Sequence, residues 1–234
     1  MGPAGKSSPI CAGLMGVSQL PSPIHSLIHS FMVIIMSWKN DQVSEAETQE
    51  ILRIAQECLL VPGDFVELGC YKGDTSLLLA ETLWCGAEAS QELVKRLWIY
   101  DSFEGLPEKQ AEDMSVMGEE FKEGELYVAK REVKERFLRA NLPVPVIKKG
   151  WFKDFKDADL PERIAFSFID GDFYTSIRDG LLLVQDKMAP GGVIIVHDYA
   201  NPALPGVNKA VDEWIRGKDA KMRVFQSMVV INLV

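Results

Sequence analysis

Two short apolar runs in the second half of the chain constrain its fold most. Ile164–Ile169 and Val193–Val196 consist almost entirely of apolar residues, many of them β-branched, and each run stops abruptly at polar side chains. A continuous apolar run of this length is typical of a strand buried on both faces of a parallel sheet. The sequence therefore predicts parallel strands at both positions.

Polar residues follow each of these two predicted strands. Ligands of open α/β sheets bind outside the carboxyl ends of the strands, so we expect these residues to meet in one cleft. Carboxylate and imidazole groups there suit a divalent cation such as Mg²⁺. The candidates for both metal binding and catalysis are Asp170, His197 and Asp198. Asp172 is either a further ligand or a brace for the loop, and a core or capping role for His197 stays open.

Composition limits the class of protein and its partners. The 234 residues suit one α/β domain with an added segment, and the 47% apolar and 25% charged fractions are those of a soluble globular protein. A net charge of −9 argues against nucleic-acid and anionic-membrane partners, which need a basic face. The four cysteines (Cys11, Cys58, Cys70 and Cys85) form no CxxC pair. They indicate free thiols in a reducing compartment, and we expect a cytoplasmic protein.

The first 40 residues differ in composition and are predicted to be an N-terminal extension of a domain spanning residues 41–234. Residues 2–23 are rich in Gly, Pro and Ser and show no periodicity. Ile24–Trp38 is apolar, but its uninterrupted stretch is far below the roughly 20 residues that span a bilayer. It is either a helix packed on the domain or over its cleft, or a functionless stretch before a true start at Met36.

Strands and helices alternate through the remaining sequence. A capping box, with Ser44 at the cap and Glu47 three residues later, begins the first helix. The alternation predicts a right-handed parallel sheet, and two final strands with no helix between them predict an antiparallel edge. The predicted strands are 64–70, 97–100, 146–148, 164–169, 193–196, 222–225 and 228–233, and the later helices are 73–83, 127–141, 174–188 and 207–215. Two i,i+4 pairs, Glu132/Arg136 and Glu135/Arg139, support the helix at 127–141.

A glycine-containing turn joins the first strand to the helix after it. Gly69 and Gly73 can let the backbone approach a ligand, but their G-x-x-x-G spacing is not that of dinucleotide-binding turns. Glu67 at the strand end would repel a pyrophosphate and favour a cationic amine or sulfonium. A purely structural glycine turn is the alternative.

The second strand ends at Asp101, whose carboxylate can accept hydrogen bonds from the vicinal hydroxyls of a ribose. A helix-capping role is the alternative. The 32 residues from Gly69 to Asp101 exceed the roughly 20 of the dinucleotide fingerprint, which argues against NAD. After the third strand, Trp151 or Phe152 either covers an adenine face or belongs to the core. The acidic stretch 104–125 indicates a solvated, mobile loop, and residues 108–125 and 24–38 are candidate lids over the cleft.

In this order the motifs resemble the macrocin-type O-methyltransferase family, the S-adenosylmethionine-dependent enzymes of macrolide-sugar and aminocoumarin tailoring. The likeness covers about residues 45–216, and its most specific motifs are Asp-Ser-Phe-Glu-Gly-Leu-Pro and Asp-Gly-Asp-x-Tyr. The matching segments are Val66–Gly73, Asp101–Pro107, Gly150–Asp154, Ile169–Ser176 and Pro190–Tyr199.

The resemblance implies a Rossmann-like methyltransferase fold, with a mainly parallel seven-stranded sheet and an antiparallel C-terminal edge strand. It also implies methyl transfer from S-adenosylmethionine to a hydroxyl of a small molecule (a sugar, polyketide-like compound or phenol), with Mg²⁺ or another divalent cation assisting. The implied cofactor-binding residues are Glu67, Gly69, Tyr71, Gly73, Thr75, Asp101, Ser102, Trp151 and Asp170. A homo-oligomer is possible.

Two departures from the family pattern bear on these expectations. The family usually has Asp-Asp-Tyr where this chain has His197-Asp198-Tyr199, and imidazole binds Mg²⁺ less readily than a carboxylate does. The family often has Trp-Arg-Gly-Gly where this chain has Tyr71–Asp74. The alternative functions are a catalytically silent Rossmann-like binding domain and an NAD-dependent oxidoreductase.

Overall fold

Strands and helices alternate along the part of the chain that the computed structural model describes, which is residues 42–90, 95–117 and 121–233. The predicted N-terminal extension, with Ile24–Trp38 and Cys11, lies outside these residues, so the domain boundary stays a prediction. The strands are β1 (Asp64–Leu68), β2 (Leu97–Asp101), β3 (Val146–Lys149), β4 (Ile164–Ile169), β5 (Met188–Val196), β6 (Ala220–Phe225) and β7 (Met228–Leu233). The α-helices are α1 (Glu45–Glu57), α2 (Asp74–Ser90), α3 (Lys130–Arg139), α4 (Tyr174–Val184) and α5 (Pro205–Ile215).

All seven strands form one sheet, in the order β3-β2-β1-β4-β5-β7-β6. Strands β1 to β5 are parallel, and β7 pairs antiparallel with both β5 and β6. The predicted α/β class, strand number and antiparallel C-terminal strand are therefore confirmed. That antiparallel strand, β7, lies one position inside the sheet, and β6 forms the edge.

Two apolar clusters cover the two faces of the sheet. Successive residues of β1 alternate between them, with Phe65 in one cluster and Val66 in the other. Helices α1, α2 and α3 contribute to the first cluster, whereas α4 and α5 contribute to the second. Because the central strands are covered on both faces, the polar residues that follow them become accessible only beyond the carboxyl ends of these strands.

Several element boundaries differ from those predicted. Helix α2 continues to Ser90, and α4 ends at Val184, where a short 3₁₀ turn follows. Strand β5 begins at Met188 because the predicted Pro-Gly-Gly turn is an irregularity within the strand, where the register against β4 shifts. The predicted Glu132/Arg136 pair is wrong, because Arg136 pairs with Asp74 on α2 instead. The Glu135/Arg139 pair is present at 3.4 Å.

Among the described residues, no helix combines the length and apolar character needed to cross a membrane.

Candidate active site

A cleft lies at the carboxyl ends of the parallel strands, with a volume of about 1090 Å³ that includes the space at its open mouth. It brings together nearly all the residues that the sequence singled out. Those that line it are Glu67, Gly69, Tyr71, Thr75, Asp101, Ser102, Trp151, Phe152, Asp170, Asp172, His197 and Asp198. Gly73 lies outside this lining, and its carbonyl accepts the N–H of Leu77 at the start of α2.

The carboxylate of Asp101 ties together the loops that follow β1 and β2. Its Oδ2 accepts backbone N–H groups from Cys70 at 2.9 Å and Tyr71 at 3.4 Å, and its Oδ1 accepts that of Phe103 at 2.7 Å. Tyr71 and Phe103 have left-handed backbones, with φ of 45° and 50°. A carboxylate offers about four acceptor positions, so these three bonds leave one on Oδ1 for a ligand hydroxyl.

Glu67, at the end of β1, is 1% exposed. The Ser76 hydroxyl donates to its Oε2, and its Oε1 has no partner among the described residues. Burial raises the pKa of Glu67 to about 8, the bond from Ser76 opposes the shift, and the Asp170 and Asp101 carboxylates add to it. At neutral pH Glu67 therefore holds a proton unless a cation lies beside it.

The three metal candidates converge because β4 and β5 are in register up to their last residues. Ile169 lies opposite Val196, and the backbone N–H of His197 donates to the Ile169 carbonyl at 3.0 Å. The Nδ1 atom of His197 is 3.1 Å from Oδ1 of Asp170 and 3.1 Å from Oδ2 of Asp198. One ligating atom from each residue lies within 4.8 Å of the others.

Both loops that carry these acids bend sharply. Asp172 and Asp198 have left-handed backbones, with φ of 60° and 57°. Burial raises the pKa of Asp172 well above its ordinary value, and the Asp170 and Asp198 charges raise it further. The cleft therefore gathers more negative charge than the acids can hold together without a proton or a cation.

Sequence reasoning missed Glu47 as a site residue. It lies in the first turn of α1, is 4% exposed, and its Oε2 is 3.9 Å from Nε2 of His197. Burial disfavours a charged imidazole, but Asp170, Asp198 and Glu47 outweigh this and raise the pKa of His197 well above its usual range. The sequence signal at Glu47 was its place in the capping box, which the structure confirms and which gives no hint of the contact with His197.

The composition of residues 104–125 predicted a solvated loop, but one of its acids is buried in the structure. Asp113 is fully buried: its Oδ1 accepts the Tyr174 N–H at the start of α4 at 2.7 Å, and its Oδ2 accepts the Gln110 N–H at 2.9 Å. Gly206 on α5 packs closely against the same carboxylate. One acid therefore anchors this loop beside the cleft. Glu119 and Glu120 lie outside the described residues.

Two aromatic residues follow β3, and the sequence left their roles open. Trp151 lines the cleft and is partly exposed, whereas Phe152 both lines the cleft and packs against the apolar cluster on the α4 and α5 side. The sequence did not single out Gln42, Val43 or Asn201, which also line the cleft.

Comparison with known proteins shows the family to which the chain belongs. Residues 42–228 match the family model of the macrocin-O-methyltransferases (TylF). The chain belongs to this family. The chain is 35% identical over 145 residues to the 8-demethyl-8-(2,3-dimethoxy-alpha-L-rhamnosyl)-tetracenomycin-C 4'-O-methyltransferase of Streptomyces olivaceus, and this alignment covers 60% of the chain and 54% of the relative. It is 29% identical over 177 residues to the demethyldecarbamoylnovobiocin O-methyltransferase of Streptomyces niveus, covering 74% of this chain and 64% of that protein.

Solved structures agree with the family assignment. The O-methyltransferase NovP is 26% identical, with a TM-score of 0.66 and 83% of each chain covered. The calicheamicin methyltransferase CalS11 has a TM-score of 0.65 over 99% of each chain, and its 14% identity makes it a match of fold alone. The family resemblance and the Rossmann-like methyltransferase fold are thus confirmed. The chain nevertheless aligns with less than two thirds of the length of these curated relatives.

Proposed function

We propose that this protein transfers a methyl group from S-adenosylmethionine to a hydroxyl of a small molecule. The arrangement that carries the proposal is the meeting of Glu67 and Asp101, on two neighbouring strands, with Asp170 and Asp198 across one cleft. Family membership supports it, since two relatives are O-methyltransferases by name. Those names suggest a sugar hydroxyl as one acceptor class, and polyketide-like and phenolic hydroxyls are further candidates.

The proposed cofactor lies along the ends of β1 and β2. The remaining acceptor position of Asp101 would take a ribose hydroxyl. Oε1 of Glu67 has no partner among the described residues, and Glu67 would lose its proton to solvent when the cationic end of the cofactor approaches that atom. Trp151 covers the adenine from the side of β3. Gly69, Tyr71, Thr75, Ser102 and Asp170 complete the proposed contacts, and Gly73 acts indirectly by setting the start of α2.

We further propose a divalent cation beside Asp170, His197 and Asp198. The donor set fits such an ion, because two carboxylates and one imidazole nitrogen come from two adjacent strand ends. Nδ1 of His197 lies 3.1 Å from a carboxylate oxygen of each of the two acids. The crowded negative charge around Asp172 also favours a cation. When bound, such an ion would acidify and orient the acceptor hydroxyl.

The chain's own residues carry the rest of the proposed reaction. With cofactor and acceptor bound, the cleft would align the acceptor oxygen with the methyl carbon and sulfur, and positioning of this kind can contribute several kcal/mol. We propose that Asp170, or His197 if it is not a ligand, accepts the hydroxyl proton. A cytoplasmic setting is proposed from the family to which the chain belongs. The homo-oligomer stays a prediction.

Two alternative functions make different predictions for ligand binding. An oxidoreductase would bind NAD, and a catalytically silent domain would have no chemical reason to keep acids at both strand ends. Titration calorimetry with S-adenosylhomocysteine and NAD separates the methyltransferase from the oxidoreductase, and the acids at both strand ends argue against the silent domain. We expect binding of S-adenosylhomocysteine and none of NAD. Micromolar binding of NAD, with no response to S-adenosylhomocysteine, would refute the proposal.

A further inference from the structure

The Glu47 side chain is held rigidly as an acceptor beside His197. Its Oε2 accepts the Ser44 hydroxyl at 2.7 Å and the Ser44 N–H at 3.3 Å, and its Oε1 accepts the Ser227 N–H at 2.9 Å and the Ser227 hydroxyl at 2.5 Å. The two backbone N–H groups can only donate, one to each oxygen of Glu47, so both oxygens act as acceptors and the carboxylate form is favoured. Ser44 and Ser227 come from the start of α1 and from the β6–β7 turn, so two distant segments fix it in place.

The two ring nitrogens of His197 face different surroundings. Nδ1 points at Asp170 and Asp198 in the cleft, whereas Nε2 is buried, has no hydrogen-bond partner among the described residues, and lies 3.9 Å from Oε2 of Glu47. That distance is too long for a hydrogen bond. It is short enough, at a site where both side chains are about 5% exposed, for the carboxylate to favour a proton on Nε2.

We propose that Glu47 is a positioning residue that keeps the proton of His197 on Nε2, so that Nδ1 is a nitrogen ligand and the site selects Mn²⁺, Fe²⁺ or Co²⁺ over Mg²⁺. This inference rests on the cation site of the proposed function. Binding of the ion releases any proton on Nδ1 to solvent, and Nε2 keeps its own.

The chemistry of the donor set gives the selectivity. Carboxylate and water oxygens suit Mg²⁺, whereas imidazole suits the later divalent metals, whose affinity for nitrogen rises from Mn²⁺ towards Cu²⁺. A ligating histidine normally has its other ring nitrogen directed at a carboxylate or carbonyl, which fixes the tautomer and raises its basicity. Glu47 faces that nitrogen here at 3.9 Å and acts on it through its charge, without a hydrogen bond. It approaches from a helix that supplies none of the three candidate ligands.

The test measures metal binding by the full-length protein without acceptor. Calorimetry should show Mn²⁺ binding at least about tenfold tighter than Mg²⁺. Electron spin-echo modulation of the bound Mn²⁺ should show coupling to a ¹⁴N nucleus, and His197→Asp should abolish the coupling and strengthen Mg²⁺ binding. Glu47→Gln, which keeps the side-chain shape, should weaken Mn²⁺ binding by about tenfold to a hundredfold.

Controls separate this role from a structural one. Glu45→Gln removes an exposed charge from the same helical turn and should leave Mn²⁺ binding unchanged. Binding of S-adenosylhomocysteine, measured on the same samples, tests the proposed function separately. A preference for Mg²⁺, the absence of a nitrogen coupling, or unchanged Mn²⁺ affinity in folded Glu47→Gln would overturn the inference. If S-adenosylhomocysteine binds normally in such an experiment, only the inference fails.

Discussion

A methyl group on Gly69 would lie 2.0 Å from the carbonyl oxygen of Asp170. The turn after β1 therefore presses directly against the turn after β4. Gly69 thus permits a close approach between these two turns of the protein, independently of any ligand in the cleft. One contact thus couples the proposed cofactor end of the cleft to the proposed metal end.

Gly69→Ala should destabilise the protein severely. Gly69 has φ of 86°, so alanine incurs about 1–2 kcal/mol for the left-handed backbone, and the overlap with Asp170 adds to that. Gly217→Ala is the matched control, because Gly217 has φ of 75° and an added methyl group there would have nothing within 4 Å. Urea denaturation of both variants measures the difference. Equal losses of stability would show that the contact with Asp170 is unimportant.

Asp101→Asn should weaken binding of S-adenosylhomocysteine. Loss of a charged hydrogen bond costs about 1.5–3 kcal/mol, which is roughly tenfold to a hundredfold in affinity. The variant should also melt earlier, because Asp101 holds the N–H groups of Cys70 and Phe103. Asp64→Asn is a suitable control: Asp64 braces the opposite ends of β1 and β2 through Arg96 and Trp98, so it should lose stability and keep affinity.

Glu67 should make the ligand-free protein less stable as pH rises. Its pKa is about 8 in the folded protein and near 4.5 when unfolded, so between these values the folded state holds one proton more. The free energy of unfolding should then fall by about 1.4 kcal/mol per pH unit. The contribution of Glu67 to it is fully present below pH 4.5 and is lost as pH rises through 8. Denaturation of wild type and Glu67→Gln across this range isolates it. Parallel stability curves would contradict the raised pKa.

Asp113→Asn should loosen the loop beside the cleft. An amide offers one acceptor where the carboxylate serves the N–H groups of Tyr174 and Gln110, and one unsatisfied buried donor costs about 1–3 kcal/mol. Limited proteolysis should then cut within residues 107–117 faster than in wild type. Glu108→Gln, an exposed position on the same loop, should behave as wild type. Unchanged proteolysis of Asp113→Asn would mean that other contacts hold the loop.

Removal of residues 1–35 should leave folding intact. A chain beginning at Met36 is expected to keep its melting temperature within a few degrees. A chain beginning at Glu45 should lose the Ser44 cap, worth about 1 kcal/mol, and the burial of Val43, worth about 1.5–3 kcal/mol. Precipitation or loss of S-adenosylhomocysteine binding on starting at Met36 would show that the preceding segment belongs to the core or the cleft.

The sequence predicted what depends on local pattern. The runs at β4 and β5 end in polar residues, so the convergence of Asp170, His197 and Asp198 followed from parallel pairing alone. Three features depended on distant partners and left no local signal. They are the place of β7 between β5 and β6, the burial of Asp113 under α4, and the approach of Glu47 to His197. Each joins segments far apart in sequence, where only tertiary packing decides the outcome.

The position of β7 has a consequence for synthesis of the protein. This strand follows β6 in sequence, yet it lies between β5 and β6, and the turn before it supplies two of the four donors to Glu47. While β7 is still inside the ribosome, β5 has an open edge next to His197, and the β6–β7 turn that supplies Ser227 to Glu47 has not yet formed. Glu47 is therefore fixed beside His197 only after the last strand of the chain has joined the sheet.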